Sequence, residues 1–344
     1  MHPIEALDRV VYLQDRGLVS ARKTAAFVRA AEVLRALPDG ELEARLAAGT
    51  LTELPGIGPS TAEVVVQAAA GRVPDRIAKL EASTAIDLGE GAELRGLLKG
   101  DCHSHSTWSD GGASLRAMAE TAMALGLEYL VATDHSPRLT IAHGLNRDRL
   151  LAQLDEIEAL NAELAPFRIL TGIEVDILVD GDLDQDEDLL ARLDVVVASV
   201  HSKISMPDPP MTERMVLAVT NPHVDILGHC TGRKVDHQRP DAHEIRPRST
   251  FDAEIVFTAC AQYGTAVEIN CRPERQDPPA ELLDLALDLG CFISIDTDAH
   301  APGQLEFLAY GCDKAARHGI DPSRILNTWS ADELLAWTGT GSAA

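Results

Sequence analysis

Residues 194–202 read DVVVASVHS. Apolar residues fill both alternations of this run, so a strand formed here is buried on both faces, as the strands of parallel sheets are. The run then stops on His201. Six other stretches have the same form, at 101–105, 129–133, 168–175, 224–228, 266–270 and 291–296. Segments with helical periodicity lie between most of them, at 114–125, 148–164, 251–263 and 280–289. Such alternation predicts an α/β fold with a parallel sheet. Seven units predict a distorted (β/α)7 TIM-like barrel, one unit short of the common eight. An open doubly wound sheet is the structural alternative. No glycine-rich fingerprint follows the first strand, so no nucleotide cofactor is expected.

The chain has 344 residues, of which 45% are hydrophobic and only 4% aromatic, so Leu, Val, Ile and Ala must build its core. No apolar run reaches the roughly 20 residues of a membrane span, and no membrane partner is expected. The start, MHPIEALDRV, lacks a basic segment followed by an apolar one, so no secretory signal is read there. The six cysteines show no CxxC pair, and reduced thiols in a cytoplasmic protein are expected. Cys102 and Cys230 are read as packing residues. A net charge of −24 argues against a broad basic face for nucleic acid. It leaves room for local phosphate binding by metal ions or backbone amides. The acidic stretch 180–188 reads as a solvated turn.

Two domains are expected, 1–95 and 96–344. The first reads as helical throughout, with periodic stretches at 4–17, 22–36, 40–48 and 63–70. Between the last two lies LPGIGPSTA at 54–62. Gly56 and Gly58 permit a tight turn that exposes backbone N–H groups just before a helix. This is the sequence form of a helix-hairpin-helix, with Gly56, Ile57 and Gly58 as candidate DNA-backbone contacts. The domain contains only His2 among the histidines, so the chemistry lies elsewhere.

In the second domain the strand ends carry it. The first strand holds His103 and His105, which a period of two places on one face, and Asp110 follows in an SDGG loop. The second ends on His135, the third carries Glu174, the fourth ends on His201 and the fifth on His229. The seventh holds Asp298 and His300, again two apart. Strand ends of β/α barrels converge on one face, where active sites are built. Six imidazoles and three carboxylates are too many polar groups to bury together without a compensating partner. Divalent metals satisfy such a set, and mixed His and carboxylate donors suit Zn, Mn or Fe.

These residues resemble the polymerase and histidinol phosphatase (PHP) superfamily over roughly 99–340, and most of all the PHP domain of bacterial family-X DNA polymerases. The segments that carry the resemblance are GDCHSHSTWSDG, TDHS, IAHGL, GIEVDIL with DGDLD, SVHS, DILGHCTGR, EINCRPERQD and DTDAH. The resemblance implies two or three divalent ions. One takes His103, His105, Glu174 and Asp298. A second shares Glu174 and adds His201 and His229. A third takes Asp110, His135 and His300. Glu174, Asp298 and His201 are the implied catalytic groups. Arg138, Lys203, Arg272 and Arg275, in strand-end loops, are candidate phosphate clamps.

The first domain, over 3–85, is similar to the helix-hairpin-helix domain that opens the same polymerases. No polymerase palm separates the two regions, so polymerisation is not expected. The position of the Schiff-base lysine in lyase-competent relatives is Val64 here, so that chemistry is not expected either. The implied activity is phosphoester hydrolysis by a metal-activated water, on DNA ends as a 3′–5′ exonuclease or 3′-phosphatase. A small-molecule phosphatase acting on histidinol phosphate or a nucleotide is the alternative, and a non-catalytic DNA-binding module the third reading. The charge does not separate them: the first 95 residues hold 11 basic and 14 acidic side chains, a net −3, and the rest holds −21.

Overall fold

A computed structural model describes residues 1–237 and 243–339 of the chain. It divides into two compact units, one of Met1–Ile86 with Pro302–Gln304, the other of Asp87–Ala301 with the residues from Leu305 onward.

The first unit holds helices α1 (Pro3–Arg16), α2 (Ala21–Arg35), α3 (Glu41–Ala48), α4 (Pro59–Ala69) and α5 (Asp75–Ser83). His2 caps α1 by accepting from Ile4 N–H at 3.3 Å, while Glu5 reaches back to the His2 N–H at 2.9 Å. Leu7, Val10, Leu13, Phe27, Leu34, Val65 and Ile77 form the core. The glycine turn enters α4 with Gly56 at φ +97°. Ile57 drops its side chain into the core, and Gly58 N–H donates to Thr61 Oγ1 at 2.9 Å. Val64 is buried in the same core.

The second unit begins earlier than the sequence suggested. Residues 87–95 belong to it, and Glu90 N–H donates to Asp313 Oδ1 at 2.9 Å. Its elements run α6 (Ala92–Leu97), β1 (Gly100–Ser104), α7 (Leu115–Ala124), β2 (Tyr129–Ala132), α8 (Arg147–Leu164), β3 (Arg168–Asp176), α9 (Glu187–Leu190), β4 (Val195–Ser199) and α10 (Asp208–Val219). There follow β5 (Ile226–Leu227), β6 (Lys234–Val235), β7 (Glu244–Arg246), α11 (Ala253–Tyr263), β8 (Ala266–Asn270), α12 (Ala280–Asp288), β9 (Ile293–Asp296), α13 (Leu308–Arg317) and α14 (Ala331–Thr338).

Seven strands pair in parallel in the order β1-β2-β3-β4-β5-β8-β9. The ring is nearly closed. At its upper end Ser104 bridges Ala299, and His105 N–H donates to Ala299 O at 2.8 Å. Lower down, the buried Asn327 fills the seam. Its Nδ2 donates to Gly100 O at 3.2 Å, Ile295 O at 2.8 Å and Asp296 Oδ1 at 3.0 Å, and its Oδ1 accepts from Ile295 N–H at 2.6 Å. The fold is therefore the distorted seven-stranded barrel, not an open sheet.

Alternate strand residues explain the site's place. Tyr129, Val131, Leu170, Val195, Val197, Ile226 and Ala266 meet in one cluster, which strands on opposite sides of a ring can do only inside it. Continuing the same faces upward leads to His135, Glu174, His201 and Glu268. β1 differs. Its register shifts between Asp101 and Ser104, so Cys102 joins the inner cluster although His103 also faces the site. All six cysteines are buried free thiols.

Two features depart from the sequence reading. The ribbon β6–β7, antiparallel, was not anticipated, and neither was α10. The acidic stretch 180–188 is not simply solvated, because Asp184 is buried and accepts from the Arg138 N–H at 2.6 Å.

Candidate metal centre

All nine expected ligands gather at the strand ends around Glu174. His103, His105, His135, Glu174, His229 and Asp298 are buried and His201 is nearly so. Asp110 and His300 lie outermost, with side chains 34% and 26% exposed. Glu174 Oε1 stands 3.4 Å from His103 Nε2, 3.2 Å from His201 Nε2 and 2.8 Å from His229 Nε2. Glu174 Oε2 stands 3.6 Å from His105 Nε2 and 2.8 Å from His135 Nδ1. Asp298 Oδ1 is 3.3 Å from His105 Nε2, and Asp110 Oδ1 is 3.5 Å from His135 Nε2 and 3.4 Å from His300 Nε2.

Donor atoms close enough to share an ion fall into three groups: His103, His105 and Asp298; His135, Glu174 and His201; and His105, Asp110, His135 and His300. These correspond to the implied sets with four differences: the first lacks Glu174, the second lacks His229 and gains His135, and the third gains His105. His135 approaches Glu174 as well as Asp110, and His229 faces Glu174 without joining a group.

The donor set fits metal ions for a reason visible in the hydrogen bonding. His103 Nε2, His105 Nδ1 and Nε2, His135 Nδ1, Glu174 Oε2, His201 Nε2 and His229 Nδ1 are buried without a hydrogen-bond partner. Several are close together yet misdirected for hydrogen bonds, since their lone pairs converge. Left so, each buried polar atom costs about 1–3 kcal/mol, which a cation at the convergence points would offset.

The ligands are themselves held from behind. Glu268 Oε1 lies 2.6 Å from His103 Nδ1, and its Oε2 accepts from the His229 N–H and from Asn270 Nδ2. Asp176 Oδ1 contacts His201 Nδ1. Asp134 accepts from Ser106, Ser109 and Gln153, fixing the loop that carries Asp110. Carboxylates placed on the far nitrogen orient a metal-binding imidazole and raise its basicity. Glu268 lies in the middle of β8, the one barrel strand to which the sequence reading gave no metal ligand. Its signal was present in AVEIN at 266–270, a lone acid in an apolar strand.

Electrostatics follow the packing. Burial alone would raise the Glu174 carboxyl, but facing His201, His103 and His135 hold it well below the ordinary range. Burial likewise opposes, and Arg275 and His105 outweigh it at, Asp298, which is also held low. Burial opposes protonation of His103 and His201, yet Glu174 with Glu268 raises the first, and Glu174 with Asp176 raises the second to about 10. His105 is pushed down by burial and by His300 and His135, and His229 by burial and Arg275.

The four candidate phosphate clamps separate. Arg275 Nε lies 3.0 Å from Asp298 Oδ2, and Arg272 Nη1 donates to Asp298 O at 2.8 Å. Arg138 is 69% exposed and faces Asp184, and Lys203 is exposed with φ +55°. In the helical unit the glycine turn borders a concavity of about 520 Å³ that Lys23, Phe27, Ser60, Thr61 and Arg76 help to line.

Residues 101–270 match the PHP domain. The chain belongs to the PHP family. It is 41% identical over 257 residues to the DNA polymerase/3'-5' exonuclease PolX of Bacillus subtilis (strain 168), a match covering 75% of this chain and 44% of that protein. The PHP chain thus spans less than half the length of that relative. It is 29% identical over 241 residues to a Probable phosphatase of Thermoanaerobacter sp. (strain X514), covering 66% of this chain and 89% of that one. Among solved structures it is similar to histidinol phosphate phosphatase of Lactococcus lactis subsp. lactis Il1403, complexed with Zn, L-histidinol and phosphate. That similarity has a TM-score of 0.43 at 21% identity, over 63% of this chain and 93% of the other.

Proposed function

We propose that this PHP protein is a metal-dependent hydrolase of phosphoesters at DNA ends, a 3′–5′ exonuclease or a 3′-phosphatase. The observation that carries the hydrolytic reading is the convergence of unpartnered, buried donor atoms around Glu174. His103, His105, Glu174 and Asp298 would hold one ion, Glu174, His201 and His229 a second, and Asp110, His135 and His300 a third. His135 is near enough to Glu174 to serve the second as well. Zn, Mn or Fe suits these donors. Bound ions supply positive charge for phosphoryl oxygens and a water whose pKa falls to about 7. Glu174 sets the spacing of the donor groups by offering one oxygen to each side. Arg275 and Arg272 orient an incoming phosphate beside Asp298, and Arg138 and Lys203 lie further out on the rim.

The DNA-end reading draws on the identity to a polymerase/exonuclease and on the Gly56-Ile57-Gly58 turn, read as part of a helix-hairpin-helix domain over residues 3–85. With the Ile57 side chain in the core, only its backbone would face DNA. A small-molecule phosphatase is the second reading, favoured by the near-complete coverage of a Probable phosphatase. One panel separates them: metal-loaded protein with recessed-end DNA, 3′-phosphorylated DNA, histidinol phosphate and an aryl phosphate. Rapid turnover of a small ester with DNA left intact would overturn the DNA-end reading. No turnover of any ester would overturn the hydrolase.

A further inference from the structure

The ribbon of β6 and β7 stands beside the metal centre. Val235 N–H donates to Glu274 O at 2.8 Å. Arg233, the residue before β6, donates from Nε to Arg275 O at 3.1 Å and from Nη2 to Gln276 O at 2.6 Å. The segment gripped in this way carries Arg272 and Arg275, which reach the ligand Asp298.

Across the ribbon Lys234 is paired with Arg246, so two cations occupy one face directly opposite each other. Like charges in that relation destabilise a ribbon. Among the described residues neither side chain is ion-paired to an acid, although Glu274 acts on Lys234 and Asp277 on Arg246 from further off. Arg246 directs Nε and Nη2 at a single backbone carbonyl, Gly232 O, at 2.9 and 2.5 Å. Lys234 is half-buried, and among the described residues it makes no hydrogen bond or ion pair. The nearest acid on the gripped segment, Glu274, is 2.8 Å from Arg272. Burial, with Arg275, Arg246 and Arg272 close by, pushes the Lys234 ammonium down, and burial with Arg275 does the same to Arg246. A chain of net charge −24 thus keeps four cations, Lys234, Arg246, Arg272 and Arg275, close together beside Asp298.

We propose that Lys234 and Arg246, together with Arg275, form an oxyanion subsite that takes a phosphate group of the substrate. The inference rests on the hydrolytic reading above. A phosphate oxygen would accept from the Lys234 ammonium as a point charge and from guanidinium forks on either side, and would neutralise the cross-strand pair. The group bound is either the phosphate being cleaved or its neighbour along a nucleic acid strand.

The test uses the full-length, metal-loaded protein with free metal removed, and inorganic phosphate as probe. Thermal melting is followed against phosphate concentration for wild type, Lys234→Met and Lys234→Arg. Lys234→Met should need about tenfold more phosphate for the same shift, the effect of one charge-assisted hydrogen bond lost, and Lys234→Arg should stay near wild type. Without phosphate, Lys234→Met should melt at or above wild type, since a repulsion has gone. A wild-type phosphate response in Lys234→Met overturns the subsite. So does a lower phosphate-free melting point with the response lost, because the lysine would then be structural. On substrates, Lys234→Met should raise KM and leave kcat within about twofold. A rise with both an aryl phosphate and recessed-end DNA assigns the cleaved phosphate, and a rise with DNA alone assigns the neighbour. No rise with either overturns the proposal. A lysine-dependent phosphate shift in a protein that hydrolyses no ester would sink the catalytic reading and keep the subsite.

Discussion

Glu268 offers a direct measure of how much the centre depends on groups that touch no metal. Glu268→Gln keeps the size of the side chain and one carbonyl oxygen. The native carboxylate accepts three times, from His103 Nδ1 at 2.6 Å, from the His229 N–H and from Asn270 Nδ2 at 3.2 Å. An amide cannot match that pattern, because its NH2 must face a donor whichever way it is turned. With Oε1 toward His103 the bond survives without its charge. A hydrogen bond to a charged partner contributes about 1.5–3 kcal/mol, against about 0.5–1.5 for a neutral one. His103 becomes a weaker base, and its ring is held less firmly. Changes behind a metal ligand cost about 10–100-fold in affinity, or about 1.4–2.7 kcal/mol. The metal-free protein should respond in the opposite sense. Burial, reinforced by the charge of Glu268, pushes the Asp296 carboxyl up to about 6, so removing that charge relieves a buried carboxylate pair. Chelator competition gives the metal affinity, and melting with and without metal gives the two stabilities. The expected result is a weaker-binding variant whose metal-free form melts at or above wild type. Unchanged affinity would refute the role given to Glu268. Equal destabilisation of both forms would reduce it to a structural one.

Two further outcomes concern the barrel. Burial raises the Asp225 carboxyl to about 8, and Asp194 adds to it. A carboxyl with a folded pKa above its unfolded one contributes stability at low pH and loses it as pH rises from about 4 to about 8. Asp225→Asn keeps an acceptor for the Val196 N–H, now 2.8 Å away, and should melt near wild type at pH 5 but clearly above it at pH 8.5. A constant difference across that window would argue against a buried charge. Asn327→Ala strips the seam of four hydrogen bonds and leaves Ile295 N–H and two carbonyls unpaired. It should cost about 3 kcal/mol or more in urea unfolding. A loss under about 1 kcal/mol would mean that the seam holds without it.

The strands were legible because a parallel barrel buries both faces, which leaves runs such as VVVAS at 195–199 that few other structures use. The candidate ligands stood out in the sequence because a histidine or acid at the end of such a run recurs in one strand after another. Glu268 was harder to see, because it sits mid-strand with no partner in sequence. Its function appears only when His103, 165 positions away, lies against it. The β6–β7 ribbon escaped because strands of two and three residues, KV and EIR, have no period to detect. α10 opens Asp208-Pro209-Pro210, which reads as a break, yet proline is accepted in a first helical turn where its missing N–H has no partner to lose. Asp184 was hidden by composition: four other aspartates surround it within 180–188, and only the fold decides which one turns inward.

Charge bears on the number of ions. Asp110, Glu174 and Asp298 line the centre, and Asp176 and Glu268 back it directly, while Arg272 and Arg275 are the cations in contact with it. Five carboxylates against two guanidiniums leave a formal −3 when the imidazoles are neutral, as metal binding requires. Two divalent ions bring the centre to +1, and a phosphate monoester dianion then turns it negative. Three ions bring it to +3 and keep it positive with the dianion bound, whereas with two ions the centre stays positive only if the cations of Lys234 and Arg246 are added to it. The third position, at Asp110, His135 and His300, is also the most open, since Asp110 and His300 are the two most exposed ligands. Its ion should be the first lost to a mild chelator, before the two that share Glu174. Asp110→Ala should then lower the content from three ions per chain to two by elemental analysis, with little change in melting temperature. Wild-type protein saturating at two ions, with Asp110→Ala also at two, would show that this corner holds no ion and that the charge balance is met in another way.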